Sequence, residues 1–311
     1  MKKMISMALC LCFAISCLAC AAQAEASPKP RVVTTIFPPY DFVRSIAGDH
    51  VELSMLLPPG SESHSFEPTP QDILKIQSCD VFVYAGGETD AWVERILDSM
   101  DTNSITLLSL LDMVDAVEEE IVEGMEEIDE EEEEEAALDE HVWTSPENAR
   151  RIVRALADTL CALDPANADD YRAGAASYER KLDELDAAIQ AVVDGAGRTT
   201  LLFGDRFPFR YLAAAYGLSY YAAFPGCATE TEASAATIAF LIDKAREENI
   251  PVVFQIEFSN GKIAGAISES MGAARRTMHS CHNVSKQDFA NGVGYLDLMW
   301  QNVDLLKEAL Q

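Results

Sequence analysis

The chain has 311 residues, of which 52 are acidic and 23 basic, giving a formal net charge of -29 at pH 7. That excess of negative charge excludes nucleic acid and anionic lipid surfaces as partners. The length exceeds what one core usually supports, so two lobes are expected.

Lys2 and Lys3 precede an uncharged apolar stretch from Met4 to about Ala22, the charged and apolar regions of an export signal. We take residues 1–24 as this signal. Cys17-Leu18-Ala19-Cys20 is lipobox-like, with Cys20 as the lipidated first residue of the mature chain, although Cys17 stands where Leu is usual. Ala22-Gln23-Ala24 offers a competing site for ordinary cleavage. The mature protein is therefore expected outside the cytoplasm, lipid-anchored through Cys20 or periplasmic if cut after Ala24. No later apolar run approaches the length of a membrane span, so the lipid is its one expected link to the membrane.

Strand and helix signals then alternate. Arg31 to Ile36, Val51 to Leu57, Val81 to Tyr84 and Ile105 to Leu108 read as strands. Helical patterns over Tyr40–Ala47, Pro70–Ser78 and Ala91–Met100 separate them. Such alternation predicts a parallel sheet covered by helices on both faces. Residues 117–140 interrupt it with an acidic loop: Glu118 to Glu140 holds 15 acidic residues and no Lys or Arg. Like charges at that density oppose compaction, and the carboxylates could collect hard cations weakly.

Ser145-Pro146-Glu147 has the chemistry of a helix start, for a helix running to about Leu163. A longer helix follows over residues 164–196. Tyr171, Ala175, Tyr178, Leu182, Leu185, Ile189 and Val192 form one apolar stripe along it. About 30 residues at about 1.5 Å each make a rod of roughly 45 Å, able to brace two lobes. The second half repeats the first, with strands near Thr199–Phe203, Leu218–Phe224, Pro251–Ile256 and Arg276–His279. Helices are expected over Phe207–Tyr216, Glu232–Glu248, Gly261–Met271 and Gly294–Leu310. The predicted fold class is thus α/β: an N-terminal lobe over residues 30–163, a linking helix over 164–196, and a C-terminal lobe over 197–311. Each lobe carries a parallel sheet flanked by helices, and the long rigid helix joins them.

Four Cys remain after the signal. Cys79 and Cys161 lie in apolar contexts and read as small core residues. Cys227 and Cys281 lie in loops of an exported chain and are expected to form a disulfide.

The chain has five His residues, and two sit in matching polar loops that end at helix starts: Glu62-Ser63-His64-Ser65-Phe66 and Asp139-Glu140-His141-Val142-Trp143. Neutral imidazole is the commonest ligand for zinc-like metals. Met278-His279-Ser280-Cys281-His282-Asn283 places two more His in the C-terminal half.

With these loops, the long helix and the terminal helix in view, the chain resembles the solute-binding lipoproteins of zinc and manganese ABC importers. The likeness covers nearly everything after the signal. In that family the metal lies between two α/β lobes, and the resemblance puts His64 and His141 at the first two ligand positions. Counting back from Tyr216, the third position falls on Arg206, which cannot bind a metal. The missing donor is then expected from His282 or His279, with Asp205 and Glu257 as oxygen alternatives and Arg206 paired with Asp205 or Glu257. Near the fourth position the family usually has an Asp, where this chain has the His279–Asn283 stretch.

The resemblance implies a monomeric, non-enzymatic protein that captures zinc, or alternatively manganese, and delivers it to an ABC permease with a cytoplasmic ATPase. Two rival classes are a surface adhesin and a zinc hydrolase. The second would need a positioned general base such as HExxH supplies, and that motif is absent.

Overall fold

The computed structural model describes residues 28–63, 65–87, 90–125, 138–228 and 232–311. The signal, with Cys20, lies outside them, as do His64 and the acidic run from 126 to 137.

Two four-stranded sheets, all of whose paired strands run parallel, form the frame. The first contains β1 (Arg31–Thr34), β2 (Glu52–Met55), β3 (Val81–Tyr84) and β4 (Thr106–Ser109), in the order β2-β1-β3-β4. The second contains β5 (Thr200–Phe207), β6 (Ser219–Pro225), β7 (Val252–Ile256) and β8 (Ala274–Met278), in the order β6-β5-β7-β8. The two orders are the same, so the chain repeats one topology. In sheets of this type ligands gather beyond the carboxyl ends of the strands, where the order reverses.

Local chemistry explains the helix starts. Helix α1 (Phe37–Ala47) opens three residues before its apolar pattern suggests, because Pro38 and Pro39 occupy its first turn, where a missing N–H costs nothing. Helix α2 (Pro70–Ser78) is fixed by a capping box in which Thr69 and Asp72 satisfy each other's backbone. After α3 (Ala91–Leu97), Ser145 caps α4 (Pro146–Leu163) by accepting from the Asn148 N–H.

The long helix α5 (Ala168–Asp194) has 27 residues, a rod of roughly 40 Å. Its stripe from Tyr171 to Ile189 is buried, against α4, α1 and the terminal helix. At Gly174 a β-carbon would stand 2.3 Å from the Ile46 carbonyl oxygen, so only glycine permits the close crossing of α5 and α1.

The C-terminal half adds α6 (Arg210–Tyr216), α7 (Ala235–Glu247), α8 (Lys262–Met271), α9 (Lys286–Ala290) and α10 (Tyr295–Leu310). Helix α9 is too short to show a period and is not predicted from the pattern. Strand β5 runs beyond the expected Phe203, with a register shift between Phe203 and Arg206. Asp205 and Arg206 therefore sit in the strand rather than in a loop, at the end of the sheet facing the other lobe.

Hydrogen bonds tie the lobes together. The Asn283 amide donates to the carbonyls of Pro58 at 2.9 Å and Ser61 at 2.8 Å. Gly60 N–H donates to Val284 O at 2.8 Å. Trp143 Nε1 donates to Ser280 O at 2.8 Å, and Tyr295 Oη donates to Trp143 O at 2.6 Å. Each pairs a buried polar group with a partner from the other half, which fixes how the lobes meet.

Candidate metal centre

His141 is positioned by its own loop. Tyr211 Oη accepts from Val117 N–H at 3.1 Å and donates to Asp139 O at 2.7 Å, so the C-terminal lobe holds the loop's entry. Asp139 Oδ1 accepts from the His141 backbone N–H at 2.8 Å and lies 3.1 Å from its Nδ1. The short turn Val142–Thr144 closes the loop, with Thr144 Oγ1 donating to His141 O at 2.8 Å. A proton on Nδ1 directed at Asp139 leaves Nε2 as the basic nitrogen, the tautomer that suits a metal ligand.

His282 comes from the loop after β8. Ser280 donates to Glu257 through both its N–H, at 2.7 Å, and its Oγ, at 2.5 Å, and the Oγ accepts from His282 N–H at 3.2 Å. Cys281 takes a left-handed φ of 63° between them, which turns the chain sharply. The rings of His141 and His282 then lie 5.3 Å apart, centroid to centroid, with Trp143 5.0 Å from His282 as an apolar wall.

Glu140, His141 and His282 each bring one donor atom within 4.8 Å of the others. All three are buried, at 0 %, 1 % and 6 % exposure. The pocket that His141 and His282 line with Ser61, Glu62 and Ser63 holds ≈ 20 Å³ of free space, room for about one water-sized body. Burial pushes the His141 pKa down, but the carboxylates of Asp139, Glu140 and Glu119 outweigh it and hold it above the usual histidine value. Two imidazoles and a carboxylate, all buried, make a donor set fit for a zinc-like ion.

The residues singled out by sequence divide accordingly. His141 and His282 are brought together from opposite lobes. His64 lies outside the described residues, although Ser61 to Ser63 line the pocket. His279 is turned elsewhere: its Nδ1 accepts from Cys281 N–H at 2.9 Å and stands 3.4 Å from Glu257 Oε1. Asp205 is occupied by the backbone N–H groups of Arg206, at 2.9 Å, and Ile256, at 3.3 Å. Glu257 lines the pocket but spends its oxygens on Ser280. Arg206 pairs its guanidinium with Glu62 of the other lobe at 3.2 Å rather than with Asp205 or Glu257, whose oxygens accept from backbone N–H groups and Ser280.

Glu140 is not among the donors expected from the sequence. Its signal was adjacency to His141, but the run of acids before it hides one buried carboxylate among many exposed ones. The disulfide expectation is corrected: Cys227 and Cys281 are both free and buried. Cys281 packs into the main core, whereas the Cys227 N–H donates to Glu119 at 2.7 Å beside the acidic segment. Burial, with nearby carboxylates, raises both thiols well above their usual range.

The family model described as zinc-uptake complex component A, periplasmic (ZnuA) matches residues 32–309. The chain is 33% identical over 282 residues to the high-affinity zinc uptake system protein ZnuA of Bacillus subtilis, covering 91% of this chain and 88% of that protein. It is 30% identical over 308 residues to the zinc-binding lipoprotein AdcA of Streptococcus pneumoniae, covering 99% of this chain but 61% of AdcA's length. The crystal structure of the Zn(II)-bound ZnuA-like domain of that AdcA superposes with a TM-score of 0.74 at 28% identity, covering 91% of this chain and 99% of the domain.

Proposed function

This chain belongs to the ZnuA zinc-uptake family, and from that premise we propose that it captures a zinc ion between its lobes and hands it to an ABC permease driven by a cytoplasmic ATPase. The lobes are residues 30–163 and 197–311, joined by 164–196. The protein acts outside the cytoplasm, as a monomer tethered through a lipid on Cys20, and catalyses no reaction.

The observation that carries this reading is the convergence of Glu140, His141 and His282, two lobes supplying one buried donor group. His64 adds a further nitrogen from the loop whose preceding residues, Ser61 to Ser63, line the same pocket. Nitrogen-rich ligation favours zinc over manganese, which suits oxygen-rich sites. Ligands split between lobes make binding and closure one event, since the ion is fully coordinated only when the lobes meet. Release then needs only a partner that favours the parted lobes.

Metal analysis of the dialysed protein, with zinc and manganese in competition, tests the reading. Zinc should be retained at about one per chain, and His141→Ala and His282→Ala should each weaken it by about a hundredfold or more, as an under-coordinated ion is poorly held. A wild-type protein that retains no metal would overturn the proposal.

A further inference from the structure

Beside the metal pocket opens a second cavity of ≈ 320 Å³, walled by Glu62, Ser65, Asp205, Arg206, Phe258 and Lys262 among others. Glu62, Arg206 and Phe258 line both spaces, so the two adjoin. The larger one has the volume of a small-molecule site and far more room than an ion needs. Coordination by Glu140, His141 and His282 makes no use of it.

Arg206 sets its chemistry. The side chain is 7% exposed, Nη2 reaches Glu62 Oε1 at 3.2 Å, and Nη1 reaches Ala228 O only at 3.4 Å. Its Nε is buried with no acceptor among the described residues. A guanidinium carries five N–H donors, so two long bonds leave this one far from satisfied. Lys262, exposed at the start of α8, lines the same cavity and makes no ion pair among the described residues. Asp205 is adjacent, but its carboxylate already faces backbone N–H groups. A guanidinium next to a divalent cation is repelled by it; the Glu62 carboxylate offsets one of these charges, and a further anion seated between Arg206, Lys262 and the ion would offset more.

We infer that this cavity binds a small carboxylate which arrives as a chelate of the metal, one carboxylate docking on Arg206 and Lys262 while its other oxygens reach the ion at Glu140, His141 and His282. The planar fork of Arg206 matches a carboxylate, and the Phe258 ring, 42% exposed and held at a φ of 59°, walls the cavity's apolar side. The inference rests on the zinc reading above.

Citrate is the probe. Calorimetric titration of citrate into purified metal-free and zinc-loaded protein should show binding to both, tighter with zinc, and native mass spectrometry should show protein, zinc and citrate together. Arg206→Gln should weaken citrate by about tenfold or more, since it removes charged hydrogen bonds. Lys262→Gln, on an exposed position that folding does not depend on, should weaken it several-fold and serves if the first variant does not fold. Citrate that binds neither state, that strips the zinc without being retained, or that binds both variants like wild type overturns the inference. Zinc titrated without citrate keeps the two readings apart. If zinc binds while citrate does not, the transport proposal stands alone. If citrate binds through Arg206 to a protein that ignores zinc, both the zinc proposal and the chelate are overturned.

Discussion

His141 and His282 meet nearly perpendicular, their ring planes at 86° and their centroids 5.3 Å apart, although they come from opposite lobes. One ligand atom from each, with one from Glu140, lies within 4.8 Å of the others. Two such residues can therefore act as one donor pair only while the lobes are apposed, and the hydrogen bonds of Asn283, Gly60 and Trp143 set that apposition.

Asp139 should matter as much to metal affinity as a residue that never touches the ion can. It holds both the backbone and the Nδ1 of His141. Asp139→Ala frees the ring to rotate and removes the charge that makes it basic, so zinc affinity should fall by about 10- to 100-fold. Competition with a chromogenic chelator would measure it, and an unchanged affinity would show that the loop alone orients the imidazole.

Zinc affinity should fall as pH is lowered, beginning above the pH where a free imidazole would protonate. The carboxylates around His141 hold its pKa in the metal-free protein above 6.5, and the ion must displace that proton. One displaced proton corresponds to about a tenfold loss per pH unit below the raised pKa. The metal-free fold behaves oppositely: the stabilisation from protonated His141 is complete below 6.5 and is lost as pH rises through the folded value. Affinities and melting curves between pH 5.5 and 8 should show the two opposed slopes.

Asp90 should make the fold less stable as pH rises from about 4 to 6. It is buried beneath Thr35 and the N–H groups of Ala85 and Gly86, and burial pushes its carboxyl up to about 6 from 3.8. The folded state thus binds the proton more tightly than the unfolded chain does. The stabilisation is complete below 3.8 and is lost as pH climbs through 6, an effect on the order of 2–3 kcal/mol. Asp90→Asn keeps the accepting oxygen without the charge, so denaturant unfolding of this variant should lack that slope.

Gly174→Ala should destabilise the protein even though alanine is the better helix former. The gain in propensity is about 1 kcal/mol, whereas the new methyl would meet the Ile46 carbonyl oxygen at 2.3 Å. That neighbour is backbone and cannot swing aside, so α5 and α1 must separate at a cost of about 2–3 kcal/mol. A variant with an unchanged or higher melting temperature would show that the crossing has slack.

By itself, the sequence determined the features whose cause is local. Alternating strand and helix patterns specified two parallel sheets, and the stripe from Tyr171 to Ile189 specified the long helix, because period and burial follow from neighbours in the chain. The polar loop around His141, ending at the Ser145–Pro146 helix start, was legible for the same reason. Only the tertiary structure decided which donors converge. His279 and His282 are three positions apart and equally good ligands on paper, yet the turn at Cys281 sends one toward Glu257 and the other toward His141. Glu140 joined the candidate donor group, and Cys227 and Cys281 stayed unlinked, through the same cause. A metal pocket and a disulfide both depend on distances between residues far apart in the chain, and those distances are set by how two lobes dock, which no local pattern encodes.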